Sequence, residues 1–306
     1  MMRRLAAVLV TLTGGCFTTD LDPTQVGAFA CSEDPGGACP DGQSCVNARC
    51  EADGEVPTVQ IGFPEDEQDL PLGDTAVGDR RTLEITLSGT LALTPRDGDD
   101  VFGEGHLEVT VDDEPSITVD SGSLSSIVTV PVTLDNTVGA HRISVRSVRN
   151  DGTPYDHEGG VATRLFFISD GQTPLLGIKS PWPGTEFPLE ATSIEVEAAV
   201  LRFTLIPADP GGMPQPKTGH IHIYYDKDIE DCIADVDGCD KQYLTTIVQP
   251  DQLGKLTIPV AGSAGEFPLS LVLRNVDHSL FEFDPNPDDD IEVKQTFIDE
   301  VALVRR

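Results

Sequence analysis

His220 and His222 stand two residues apart in Gly219-His220-Ile221-His222-Ile223, a run that alternates as a β-strand does. Side chains two apart on a strand share a face, so both imidazoles point the same way. His278 lies in Asp277-His278-Ser279, a predicted turn. Three imidazoles make a donor set for zinc or copper. The alternative is structural: histidines satisfied by hydrogen bonds beside a turn. The second candidate is acidic. Asp226, Asp228, Asp231, Asp235, Asp237 and Asp240 crowd one stretch, in which Asp235, Asp237 and Asp240 offer hard oxygen donors of the kind calcium requires. The full calcium-loop register and its closing Glu are missing, so a solvated acidic face is the alternative there. No phosphate-cradling loop, dinucleotide fingerprint or serine-nucleophile elbow is present. No organic cofactor is therefore expected.

The seven cysteines divide by position. Cys16 ends Leu12-Thr13-Gly14-Gly15-Cys16, after the basic pair Arg3-Arg4 and an apolar run over residues 5–12. That run is far shorter than the roughly 20 residues of a spanning helix and suits the core of a secretory signal. The order of basic pair, apolar run, small residues and Cys resembles the lipobox of bacterial lipoproteins. Thr13 stands where that family usually has Leu. The resemblance implies a signal peptide over 1–15, acylation of Cys16, a lipid anchor in the membrane and a tether over 16–30. Phe17, where a retention signal would have Asp, points to the outer membrane. Of the other six cysteines, Cys31, Cys39, Cys45 and Cys50 cluster in a segment with almost no large apolar side chain, and Cys232 and Cys239 form a separate pair. An even count in an exported chain reads as disulfides, and the spacings are not the short Cys-x2-Cys type of zinc sites. Residues 31–50 resemble the small EGF-like knots of Gram-negative surface lipoproteins. Three pairings are open, and 51–56 reads as a linker.

The remainder repeats itself. Pro57, Ile61, Pro64, Pro71 and Leu72 recur as Pro174, Ile178, Pro181, Pro188 and Leu189, an offset of 117. Gly105-His106-Leu107-Glu108-Val109 recurs as Gly219-His220-Ile221-His222-Ile223 at 114, and Val128-Thr129-Val130-Pro131-Val132 as Leu256-Thr257-Ile258-Pro259-Val260 at 128. Two copies of one domain are expected, over 57–170 and 171–306. The growth in offset places an insertion of 14 residues in the second copy, and it holds Cys232 and Cys239. Both copies alternate with period two and are punctuated by Gly, Pro, Asp and Asn, as in Leu83-Glu84-Ile85-Thr86-Leu87. About seven short strands per copy resemble the immunoglobulin-like class of antiparallel sandwich, without its usual Cys-Trp-Cys core. The fold expected is all-β: two tandem immunoglobulin-like sandwiches behind a small disulfide-rich module. On such a frame, Gly-His-x-His and Asp-His resemble a motif of small bacterial β-sandwich domains. The first copy departs from it, with Glu108 in place of His222 and Gly152 in place of His278.

Composition narrows the function. The 306 residues include 52 acidic and 20 basic ones, a formal charge of −32. That balance excludes nucleic acid as a partner, since phosphate binding needs Lys and Arg, and disfavours an anionic membrane surface. Asp120-Ser121-Gly122 matches the local motif of aspartic proteases, but the second copy offers no partner for it, and two aspartates must share a proton. A turn explains it. The reading is a non-enzymatic, lipid-anchored envelope protein, structural, adhesive or ligand-binding. Its expected partners are the membrane through the lipid, envelope proteins or surface polysaccharide. The alternative is a metal-dependent binding module of the envelope.

Overall fold

The structure, a computed structural model, describes residues 31, 39–52, 56–74, 78–112, 114–284 and 295–306. The signal, Cys16 and the tether lie outside the described residues. Among these residues, no helix is long and apolar enough to cross a membrane.

The cysteine-rich module is one hairpin, Gln43–Val46 against Arg49–Ala52, turned at Asn47 and Ala48 with φ of 51° and 60°. Disulfides join Cys31 to Cys45 and Cys39 to Cys50, so the first cysteine pairs with the third and the second with the fourth. Among the described residues of the module, Val46 is the one large apolar side chain they bury. Crosslinks do here what a core does in a larger domain.

Residues 57–306 form one compact unit built from two sandwiches. In the first, Val59–Phe63, Arg80–Gly89 and Val128–Asp135 make a three-stranded antiparallel sheet. Facing it, in order, are Gln68–Pro71, Val161–Ser169, Gly139–Val148, Glu104–Val111 and Ala92–Leu93, with Ile117–Val119 also on Glu104–Val111. The second repeats that order. Its small sheet is Leu175–Ser180, Ser193–Leu201 and Leu256–Pro259. Its large sheet runs Glu186–Phe187, Ile298–Arg305, Gly265–Arg274, Thr218–Tyr225 and Thr204–Leu205, with Thr245–Ile247 on Thr218–Tyr225. These are two immunoglobulin-like sandwiches in tandem.

Period-two alternation builds both cores. Leu83, Ile85 and Leu87 are buried on one face of their strand, as are Leu107, Val109 and Val111 on theirs. In the second sandwich Ile178, Val196, Ile221, Ile223, Leu269, Leu271 and Leu273 pack into one cluster. Each such side chain contributes about 1.5–3 kcal/mol on burial. The repeat extends to the backbone. Asp112 and Asp226 both turn the chain at positive φ, 50° and 54°. Gly105 and Gly219 press so close to the neighbouring strand that a Cβ would stand 2.0 Å and 1.9 Å from the carbonyl oxygens of Val148 and Arg274. Only glycine fits, so each copy is held at Gly-His in the same register.

The sandwiches meet through Leu165 and Phe167 packed with Leu175 and Ala199. Beside that cluster the Arg142 guanidinium bonds Asp299, whose carboxylate also accepts the N–H of Ile178 at 2.5 Å. Arg202 reaches Asp69 at 2.6 Å, and Lys179 reaches Asp66 at 2.9 Å.

Candidate metal centre

The strand Thr218–Tyr225 is buried on both faces. Ile221, Ile223 and Tyr225 enter the core, which leaves His220, His222 and Tyr224 on the opposite face. In the first sandwich the matching face carries His106, Glu108 and Thr110, and the latter two are only half-buried. The difference is the insertion. Its short helix Ile229–Ile233 and the turn Val236–Lys241 are joined by the disulfide Cys232–Cys239. Cys232, Cys239, Tyr224 and Val272 pack together, flanked by Ile229, Tyr243 and Leu280. A face that would otherwise meet water is thus dried and fixed.

His278 arrives from the turn after Gly265–Arg274. It stands at φ 70°, left-handed, where the first copy has Gly152 at φ 86°. The two turns close alike. The N–H of His278 donates to Asn275 O at 3.0 Å, as that of Gly152 does to Arg149 O. Asp277 accepts from the Ser279 N–H at 3.0 Å, and Asp151 from the Thr153 N–H at 2.8 Å. The Ser279 hydroxyl also donates to Asp277, which holds that carboxyl below its ordinary range.

Three ring nitrogens converge. His220 Nε2 lies 3.0 Å from His222 Nε2 and 3.2 Å from His278 Nδ1, and the last two are 3.1 Å apart. The shell around them assigns a tautomer. The Tyr224 hydroxyl donates to Asp240 O at 2.9 Å, so its oxygen is free to accept from His222 Nδ1 at 3.3 Å and Arg274 Nη2 at 3.2 Å. His222 Nδ1 therefore carries the proton, and its Nε2 points a lone pair at the other rings. Tyr243 covers His222, ring centroids 3.9 Å apart. His220 is fully buried, and its Nδ1 has no partner.

His220 and His222 hold no extra proton at neutral pH. Burial first, then His220, Arg274 and His278, pushes His222 down to about 2. Burial, then His278 and Arg274, lowers His220 to about 4. Two rings held neutral, with a third ring nitrogen within 3.2 Å of both, suit a metal ion. Separations of 3.0–3.2 Å let all three nitrogens reach one ion at the usual metal–nitrogen distance of about 2.1 Å.

The acidic candidates are used differently. Asp228 caps the short helix, accepting the N–H groups of Glu230 and Asp231. Asp240 is hydrogen-bonded to Asp235, and that contact, with burial, raises its carboxyl above the usual range. Among the described residues, the ligand atoms that converge are those of the three histidines and of Cys31, Cys39 and Cys45, the latter committed to disulfides. Asp235, Asp237 and Asp240 form no such set. Tyr224, Tyr243 and Arg274 complete the centre and were not singled out in the sequence. Tyr224 was reachable, because it continues the two-residue spacing of His220 and His222. Arg274 and Tyr243 come from pairings that no local pattern shows.

The fold and the duplicated frame define a tandem immunoglobulin-like β protein. No protein-family model and no curated protein matches the chain. Solved structures with similar architecture include the fibronectin(III)-like modules of Clostridium thermocellum CbhA: 12% identity, 81% of this chain and 94% of that one, TM-score 0.23. They include the titin Ig tandem domains A164-A165, at 9% identity over 82% and 98% with a TM-score of 0.20. The BSP domain of a biofilm associated protein matches at 14% over 83% of this chain and 32% of that one, TM-score 0.23. The likeness is one of tandem β-sandwiches and carries nothing about function.

Proposed function

We propose that the chain is a lipid-anchored, non-enzymatic protein of the cell envelope whose second sandwich binds one transition-metal ion through His220, His222 and His278. The observation that carries the metal reading is the convergence of three ring nitrogens within 3.2 Å of one another. Export is supported by three disulfides and by the immunoglobulin-like architecture. Anchorage rests on the lipobox-like run ending at Cys16. In this reading the disulfide module and the first sandwich are the structural part, and they hold the metal-bearing domain off the outer membrane for envelope proteins or surface polysaccharide.

Two experiments test the two parts. Chelator-stripped full-length protein, titrated with zinc, cobalt or copper, should take up one equivalent at micromolar affinity or tighter, and His222→Ala should abolish it. No uptake in the micromolar range overturns the metal reading. Cys16→Ser should lose acyl label and leave the membrane; if it remains anchored and fully processed, the lipoprotein reading is wrong.

A further inference from the structure

We infer that the metal held by the three histidines keeps an open coordination position, facing a small cavity, that takes an exchangeable anionic ligand from outside the chain. This rests on the metal reading above and goes past it, since three protein ligands alone would also suit a closed site with a fourth donor.

The ligand count comes first. Structural sites close their shell with four side chains, whereas three ligands leave a place for water or a substrate atom. Among the described residues, no fourth Cys, His, Asp or Glu joins the converging set. The carboxylates on the cavity wall do not converge with the three rings: one oxygen of Asp277 accepts from both the N–H and the hydroxyl of Ser279, and Asp240 faces Asp235, with its buried Oδ1 unpartnered. The Tyr224 hydroxyl is occupied by Asp240 O, His222 and Arg274.

The second element is a place to bind. A cavity of about 410 Å³ is lined by His222, His278, Asp240, Lys241, Tyr243, Asp277 and Ser279. His220 is fully buried behind them and does not border it. An ion held by the three rings would be reached from outside through this cavity, which is at the small end of ligand-site volumes.

Charge selects the ligand. Three neutral imidazoles leave a divalent ion its full charge, and the ion is then the largest local charge in the site. Lys241 on the wall and Arg274 behind Tyr224 offset Asp240 and Asp277, so the net positive charge that would draw an anion is the ion's own. A small anion such as a monodentate carboxylate is the fitting occupant.

Cobalt is both metal and reporter. Stripped full-length protein loaded with one equivalent of cobalt(II) would be titrated with sodium azide and then acetate while its visible bands are followed. The expected result is a saturable spectral change at millimolar anion, with acetate displacing azide. Lys241→Glu should weaken azide at least threefold while cobalt uptake stays at one equivalent. Cobalt bound at one equivalent with bands indifferent to azide overturns this inference alone. Azide binding that ignores Lys241→Glu overturns the assignment to this cavity. Failure to take up cobalt overturns the metal reading beneath it.

Discussion

His278→Gly separates a metal ligand from a structural histidine, because the molecule already contains the comparison. The first sandwich builds the same turn with Gly152 at φ 86°, and the second holds His278 at φ 70°. A left-handed conformation costs a non-glycine residue roughly 1–2 kcal/mol. Glycine would relieve it and return about 0.4–1 kcal/mol of that as freedom of the unfolded chain. The metal-free variant should therefore be about 0–1.6 kcal/mol more stable than wild type. If the imidazole were there to pack the fold, deleting a half-buried ring would instead cost about 1–3 kcal/mol.

The second arm adds metal. Zinc at a hundredfold excess over its Kd stabilises the folded wild type by about 2.7 kcal/mol. For a unit of this size that is a rise in Tm of roughly 5–11 °C. His278→Gly should show almost none of it. The assay is a thermal scan of full-length wild type and variant, each with chelator and with zinc. A variant that loses several degrees in chelator, or that keeps the zinc-induced rise, refutes the reasoning.

Four further outcomes follow from the same structure. Tyr224→Phe removes the acceptor that holds the His222 tautomer, and metal affinity should fall about 10- to 100-fold with the fold intact, as read by competition against a chromophoric chelator. Replacing Cys232 and Cys239 together by Ala opens a seven-residue span, which should cost about 2.5 kcal/mol on the loop-entropy estimate; it should also loosen metal binding, because Asp240 O holds Tyr224. Stability of the metal-free protein should be full above about pH 6.5 and fall toward pH 4: His220 and His222 are held down by burial and nearby cations, so the unfolded chain takes up protons that the folded one refuses. Equal urea midpoints at about pH 7.5 and 5 would contradict that linkage. Asp299→Asn removes the charge that pairs the Arg142 guanidinium, leaving it only the Ile178 carbonyl at 3.2 Å, and should lower the stability of residues 57–306 by roughly 3 kcal/mol in urea unfolding; replacing both residues by Leu should recover much of the loss.

The sandwich class was legible because it is written in local periodicity. Leu83, Ile85 and Leu87 alternate with Glu84 and Thr86, and each of the three is buried. His220 and His222 were legible as a same-face pair for the same reason. His278 was grouped with them through the Gly-His-x-His and Asp-His motif rather than through periodicity, because the contact crosses 56 residues and depends on how Gly265–Arg274 registers against Thr218–Tyr225. Carboxylates close in sequence left a cation loop and a solvated face both open; in the structure Asp228 caps a helix and Asp240 faces Asp235. The junction left no local trace either, since Arg142 and Asp299 are 157 residues apart and each reads alone as a surface charge on a strand.

Duplication explains why the site stands where it does. The first sandwich has His106 at the position of His220, fully buried, with neither ring nitrogen bonded. Burial lowers its affinity for a proton, as it does for His220. The frame thus places one neutral imidazole on the outer face of the large sheet in both copies. A second ligand takes one substitution two residues along, where Glu108 answers to His222. A third takes one at the turn, where Gly152 answers to His278 and the backbone is already left-handed. What those two changes do not supply is a dry, fixed surrounding. The insertion supplies it: Asp240 O takes the Tyr224 hydroxyl, the Cys232 carbonyl takes Arg274, and Tyr243 covers His222. The disulfide holding that insertion together stabilises the shell of the metal centre rather than the core of the sandwich, and so the one copy that carries the cysteine pair is the one that carries all three histidines.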